Sequence, residues 1–158
     1  DCSQSRGLGD VYKRQDEQGL LEALNPIQKK WGPVEGIIHG AGVLADKRIE
    51  NKTLEDIKRV YQTKVKGLQT LLKVIDESKL THLILFSSAA GFFGNAGQSD
   101  YAAANEVLNQ YAIQFSQNHP ECQVVSFNWG PWEGGMVDED LKKMFEERGV
   151  YVLSLIHI

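Results

Sequence analysis

HLILFSSAAGFFGNAGQSDYAAAN, residues 82–105, passes from a short apolar run into a helical pattern, and that passage decides the fold. Residues 82–86 are continuously apolar after the histidine, as a parallel strand covered on both faces is. Ser87, Ser88 and a glycine-studded loop follow. From Ser99 the spacing is helical, and Tyr101, Asn105, Leu108 and Ala112 share one face by i, i+4 and i, i+3 steps. Tyr101 and Asn105 therefore project together at the amino-terminal end of an apolar stripe. The alanines between them keep the helix slim, so a ligand or another backbone can come close. The same pair also suits a packed ring with a wet hydroxyl beside a surface asparagine.

The pattern repeats on either side. Residues 34–39 and 123–127 are two more apolar runs, and long helical patterns separate the three. Strand–helix alternation of this kind predicts an α/β fold with a parallel sheet and right-handed crossovers. The clearest helix is expected over about 54–75, with Thr53 as its cap and Asp56 three residues on in a capping-box pattern. Its stripe is Ile57, Val60, Tyr61, Leu68, Leu71, Leu72 and Ile75. Lys64 falls inside that stripe, about 20° from Ile57 and Leu71 at 100° per residue. It either snorkels out along its stem or meets a polar partner inside. The three strands run into Gly40–Ala41–Gly42, Ser87–Ser88 and NWGPW (128–132). Ligands of open α/β sheets bind at that carboxyl edge, so three such ends together favour a site there.

Composition narrows the classes. With 158 residues, 42% hydrophobic and 24% charged, the chain is long enough for one domain with a core. A formal net charge of −4 argues against a nucleic-acid or anionic-membrane surface. No apolar run approaches the length of a membrane span. Cys2 and Cys122 offer neither zinc spacing nor a disulfide framework, so no metal is expected and a reducing cytoplasm is the default. The two ends look foreign. DVYKRQ (10–15) can be written in codons whose reverse complement reads LSLIHI, the last six residues (153–158). That nucleotide string resembles a transposon end used in preparing sequencing libraries. Residues 1–15 and 153–158 are accordingly expected to be translated adapter, leaving 16–152 as the domain proper.

Residues from about 16 to 151 resemble the ketoreductase domains of polyketide and fatty-acid synthases, a branch of the short-chain dehydrogenase/reductase superfamily. HGAGVLAD, TKVKG, LFSSAAGFFGNAGQSDYAAAN and FNWGPWEGGM carry the resemblance, in the expected order. With the tail KKMFEERGVYV, the detail is most similar to the ketoreductases of bacterial polyunsaturated-fatty-acid synthases. The implied fold is a Rossmann-like, doubly wound parallel sheet, present only as its carboxyl-terminal part.

The resemblance also implies roles. The superfamily's serine lies 13 residues before its tyrosine, which selects Ser88 and Tyr101. Most members place a lysine four residues after the tyrosine, where this chain has Asn105. In synthase ketoreductases the two have exchanged places, and the matching lysine is Lys64, 24 residues before Ser88. Lys64 would then point inward, toward the cofactor ribose and Tyr101. Tyr101 would donate the proton, with Lys64 lowering its pKa; Ser88 would hold the carbonyl oxygen, and Asn105 would order a water path. Gly40, Ala41 and Gly42 would lie against the cofactor, and Asn128, Gly130 and Pro131 would border its nicotinamide. His39 would serve structure or contact. Trp132, Gly135 and Met136 would open a lid over the acyl chain, with 141–148 as its helix, whereas Trp129 and Trp132 equally suit core packing. Family members with Leu-Asp-Asp after the glycine loop usually make the 3R alcohol. Leu44, Ala45 and Asp46 keep the last aspartate, and the tryptophan that marks the opposite class is absent, with Phe93 near its place, so 3R is implied; Gln98 joins Asp46 and Phe93 among the residues the resemblance implies for substrate and stereocontrol.

The reaction implied is NADPH-dependent reduction of a β-ketoacyl thioester, delivered by an acyl carrier protein within a multidomain synthase. The glycine-rich turn and the 2′-phosphate reader of such domains lie upstream of the residues here, so NADPH rests on resemblance. A sheet lacking its neighbouring strands is expected to leave the polypeptide insoluble or partly folded when expressed alone. Three alternatives remain: a reductase of a free small-molecule ketone, a non-catalytic structural subdomain, or a non-enzymatic α/β binding module.

Overall fold

Three parallel strands, β1 (Gly36–His39), β2 (His82–Ser88) and β3 (Gln123–Trp129), lie side by side in sequence order. They belong to a computed structural model that describes residues 16–131 together with Lys143, Glu146, Glu147 and Gly149. The expectations placed on Trp132, Gly135, Met136, the helix over 141–148 and the flanks 1–15 and 153–158 lie outside the described residues.

Strand lengths differ from the sequence reading in a way that matters. β1 omits Val34 and Glu35, while β2 and β3 each run two residues past the expected end. The β1–β2 ladder closes at His39 opposite Leu85, but β2–β3 pairing continues to Ser88 opposite Trp129. The sheet edge is therefore stepped by three residues, or roughly 10 Å at strand rise.

Burial alternates along the strands, against the expectation of cover on both faces. Ile37, Leu83 and Leu85 are buried, whereas Ile38 is 71% exposed and Val125 and Phe127 are also exposed. The runs read as continuously apolar because both faces are apolar, but the described helices bury chiefly one. On the other face Phe86, Phe127 and Trp129 pack against each other, with centroids 5.2–6.4 Å apart.

Helix α1 (Glu17–Trp31) starts where the Asp16 carboxylate accepts the Gln18 amide at 3.1 Å, and stops at Gly32, whose φ of 94° suits glycine. The long helix expected over 54–75 forms as α2 (Leu54–Tyr61), a π-helical turn (Gln62–Lys66) and α3 (Gly67–Val74). Its capping box is made. Thr53 Oγ1 accepts the Asp56 amide at 3.1 Å, and the Asp56 carboxylate accepts the Thr53 amide at 3.0 Å. Lys47 and Thr53 hold the Asp56 carboxyl far below the ordinary carboxylate range.

The π turn rewrites the apolar stripe. Ile57 and Tyr61, expected inside, are exposed, while Thr63, Lys64 and Val65 are buried in succession. An α-helix turns 100° per residue and rarely buries three in a row. The wider turn wedges between two neighbours and shows a side chain to each. One neighbour is the main core, where Leu68, Leu72 and Ile75 meet Ile37, Leu83 and Leu85 of the sheet and Leu108, Ala112 and Phe115 of a second long helix, Ser99–Asn118. Each large side chain buried there contributes on the order of 2 kcal/mol. The other is a smaller cluster of Ala45, Val60, Val65 and Ala104, with Tyr101 packed on its margin. A short helix, α4 (Ala89–Phe93), joins β2 to the Ser99–Asn118 helix, which is α5. Among the described residues no helix is long and apolar enough to cross a membrane.

Candidate functional site

The stepped edge collects the residues singled out from the sequence. Ser88 is the last residue of β2, and its hydroxyl caps α4 by accepting the Ala90 amide at 3.2 Å. Tyr101 sits in the first turn of α5, half-buried, and Asn105 one turn on is fully buried. The Asn105 amide nitrogen donates to the Tyr101 carbonyl at 2.8 Å, and its Oδ1 has no partner among the described residues. Ser87 donates to the Asn105 carbonyl at 3.1 Å, tying strand to helix.

Lys64 points inward, only 3% exposed. Its Nζ donates to the Phe86 carbonyl at 3.0 Å and lies 5.3 Å from the ring centroid of Tyr101. That carbonyl belongs to the part of β2 beyond the end of β1, so the lysine reaches across the step. His39 Nε2 is 2.7 Å from the Lys64 carbonyl, so the buried imidazole holds the π turn from the strand side. The role left open for His39 is at least this structural one.

Electrostatics correct one expectation. The resemblance implies that Lys64 lowers the Tyr101 pKa, yet the phenol is raised, first by its own burial. The Asn105 and Ser88 side chains at the hydroxyl pull it back, and the Asp46 charge pushes it up. Burial is the leading cause, and the Lys64 charge, 5.3 Å from the ring centroid, is not among the influences that set the phenol. Burial lowers the lysine itself to about 8.

The remaining positions border this group. Gly40, Ala41 and Gly42 follow β1, Asn128 is the penultimate residue of β3, and Gly130 and Pro131 follow it. Among the described residues, a Cβ at Gly130 would touch nothing within 4 Å, and one at Gly40 would meet the Phe86 ring alone, at 3.6 Å. Among the described residues nothing crowds these two backbone positions of the carboxyl edge, beside the buried lysine and the phenol. Asp46 accepts from Gln98 Nε2 at 2.7 Å, which joins two of the residues assigned to stereocontrol. Phe93 is 82% exposed, edge-on to Phe92 at 4.9 Å, and is not brought into the group.

Sequence reasoning misses Gly91. A Cβ there would stand 3.0 Å from Asn105 Cβ, 3.1 Å from the Glu106 amide nitrogen and 3.2 Å from the Asn105 carbonyl carbon. Helix α4 can press on α5 behind Asn105 only because this residue has no side chain. Gly91→Ala is expected to destabilise by about 1–3 kcal/mol and to displace Asn105. Denaturant unfolding would show the loss as a lower midpoint, and an unchanged midpoint would remove this packing role. The only sequence signal is a glycine between two alanines and two phenylalanines, which a flexible loop would share.

Comparison with known proteins identifies the family. The family described as the KR domain matches residues 9–134, beginning inside the first flank. One component of the polyunsaturated fatty acid synthase of Thraustochytrium sp. (strain ATCC 26185 / S-3) is 49% identical over 122 residues, which is 77% of this chain and 4% of that protein. Among solved structures, the ketoreductase from the first module of phoslactomycin biosynthesis in Streptomyces sp. HK803 superposes with a TM-score of 0.81 at 31% identity, over 90% of this chain and 33% of that one. A ketoreductase domain from the bacillaene assembly line gives 0.76 at 36% identity, over 89% and 36%. The chain thus spans only a small part of the length of the curated relative. A parallel α/β sheet, the edge that gathers Ser88, Lys64, Tyr101 and Asn105, and these matches place the chain in the ketoreductase (KR) domain family of polyketide and polyunsaturated-fatty-acid synthases, oxidoreductases that use nicotinamide cofactors.

Proposed function

We propose that this chain carries the catalytic part of an NADPH-dependent β-ketoacyl reductase in a cytoplasmic multidomain synthase. It acts on thioesters held by the phosphopantetheine arm of an acyl carrier protein and gives the 3R alcohol. One observation carries the reading: Tyr101, Ser88, Asn105 and Lys64, from three separate segments, share one stepped sheet edge. Bound NADPH supplies the hydride that forms the new C–H bond at the keto carbon. As the carbonyl π electrons move onto oxygen, Ser88 donates a hydrogen bond to that oxygen and Tyr101 gives it a proton. Burial keeps the phenol protonated until that charge appears. Lys64 would hold the ribose side of the cofactor. Asn105 would order the water that returns a proton to Tyr101, a role supported by its buried Oδ1 having no partner among the described residues.

The test uses the full-length protein that contains this chain. A β-ketoacyl thioester on the carrier protein, with NADPH and with NADH, is expected to give oxidation of NADPH and a 3R β-hydroxy product on chiral analysis. Turnover of free ketones but not of the thioester would overturn the substrate, preference for NADH would overturn the cofactor, and a 3S product would overturn the stereochemistry. The adapter origin of residues 1–15 and 153–158 stands as a separate proposal from the codon relation. Source DNA lacking both flanks supports it, and an intact gene containing them defeats it.

A further inference from the structure

Beside the reacting group lies a buried ion pair that the chemistry above does not use. Lys52 Nζ is 2.7 Å from Asp100 Oδ1, with the two side chains 2% and 1% exposed. The same Nζ donates to the Ala45 carbonyl at 2.9 Å. Asp100 Oδ1 also accepts the Tyr101 amide at 2.9 Å, while Oδ2 has no partner among the described residues. The pair therefore joins the loop that follows β1 to the residue next to Tyr101.

Other contacts between the same two segments lie nearer water. The Lys47 amide donates to the Gly97 carbonyl at 3.0 Å, across a glycine with φ of 83°, and Gln98 Nε2 donates to exposed Asp46 at 2.7 Å. Solvent-exposed polar contacts of this sort hold weakly. Burying two charges is unfavourable unless their geometry is good, and leaving one without the other is worse. The buried pair is thus the firmer polar tie between the Asp46 loop and the start of α5, beside the apolar packing of Ala45. Ala45, whose carbonyl Lys52 holds, is itself buried against Val60, Val65 and Ala104.

We propose that Lys52 and Asp100 are positioning residues for stereochemistry: by clamping the loop bearing Asp46 to the turn bearing Gln98, they fix the side from which the acyl thioester meets Tyr101. This rests on the reading of the site as a β-ketoacyl reductase.

The experiment uses the full-length protein and a carrier-bound β-ketoacyl thioester. Lys52→Met alone strands a buried carboxylate and puts the fold at risk. The deciding variant is therefore Lys52→Met/Asp100→Asn, in which the introduced amide is neutral and can still accept the Tyr101 amide proton. The double variant is expected to stay folded, to keep kcat within about tenfold, to raise KM, and to erode the 3R:3S ratio by about tenfold or more, which is about 1.4 kcal/mol between the competing transition states. Amide exchange over residues 43–52 should rise while α5 stays protected. Lys52→Arg, which keeps the charge, should keep the ratio. An unchanged ratio in the folded double variant overturns the proposal, as does an equal fall in both products without a change of ratio. Absence of thioester reduction by the unaltered protein would overturn the enzymatic reading and the stereochemical role with it, while exchange over 43–52 would still show whether the pair holds the loop.

Discussion

Tyr101→Phe in the full-length protein is expected to lower kcat for thioester reduction by roughly 10²–10⁴-fold, the range that a positioned proton donor contributes. The ring stays, and so does its packing against Ala45, Val60, Val65 and Ala104. Only the hydroxyl is lost, together with its contacts to Asn105 and Ser88. Stability should therefore fall by about 1–3 kcal/mol, the worth of two hydrogen bonds at a largely buried site. KM should move little, because the missing interaction is made mainly as charge develops on the substrate oxygen. Steady-state kinetics beside a thermal melt separate the two effects. Activity within about threefold of the unaltered protein, with the fold intact, would mean that the proton comes from another group.

Lys64→Met should separate activity from stability. On the proposed reading, reduction is expected to fall by about two orders of magnitude or more as the inward ammonium beside Tyr101 is lost. Stability should move in a pH-dependent way. Burial holds the folded lysine at about 8, against 10.5 for the free group. Between those values the unfolded chain binds more protons than the folded one, so stability rises as pH climbs from about 8 to 10.5. Below about 8 the penalty is fully present, and the shift corresponds to about 3 kcal/mol. Methionine carries no such penalty but forfeits the bond to the Phe86 carbonyl. The variant's stability relative to the unaltered protein should thus be most favourable near neutral pH and decline toward pH 10.5. Denaturation midpoints across that range check the slope, and a pH-independent difference would show that Lys64 is not charged and desolvated in the folded state.

Much of this is legible from side-chain period and turn chemistry. The three parallel strands, the helix beginning at Ser99 and the Thr53–Asp56 cap all rest on short-range rules, and they stand in the structure. The carboxyl-edge grouping follows because serine, glycine and asparagine end successive apolar runs. What is not legible depends on contacts between distant segments. The π turn leaves no local mark in QTKVK, so periodicity puts Ile57 and Tyr61 inside when they lie outside. Lys52 and Asp100 are 48 residues apart and read singly as surface charges. Helix α1 is not delimited by its pattern, since Pro26 interrupts it, yet the helix continues through the proline. The expected lowering of the tyrosine pKa is not met for a related reason: a motif can imply that a cation is near, but not how deeply the fold buries the phenol.

The early end of β1 has a further meaning for how such domains diversify. A step made by unequal strand lengths exists before any loop is added, and Lys64 and Ser88 are tied to the strand that overhangs it rather than to the loops around it. The loop after β1 and the turn before α5 are pieces of trim fitted to one another. Exchanging them between synthases as a matched set should transplant the choice of product while the reacting machinery stays in place, whereas exchanging either alone would set an unmatched edge against a foreign partner.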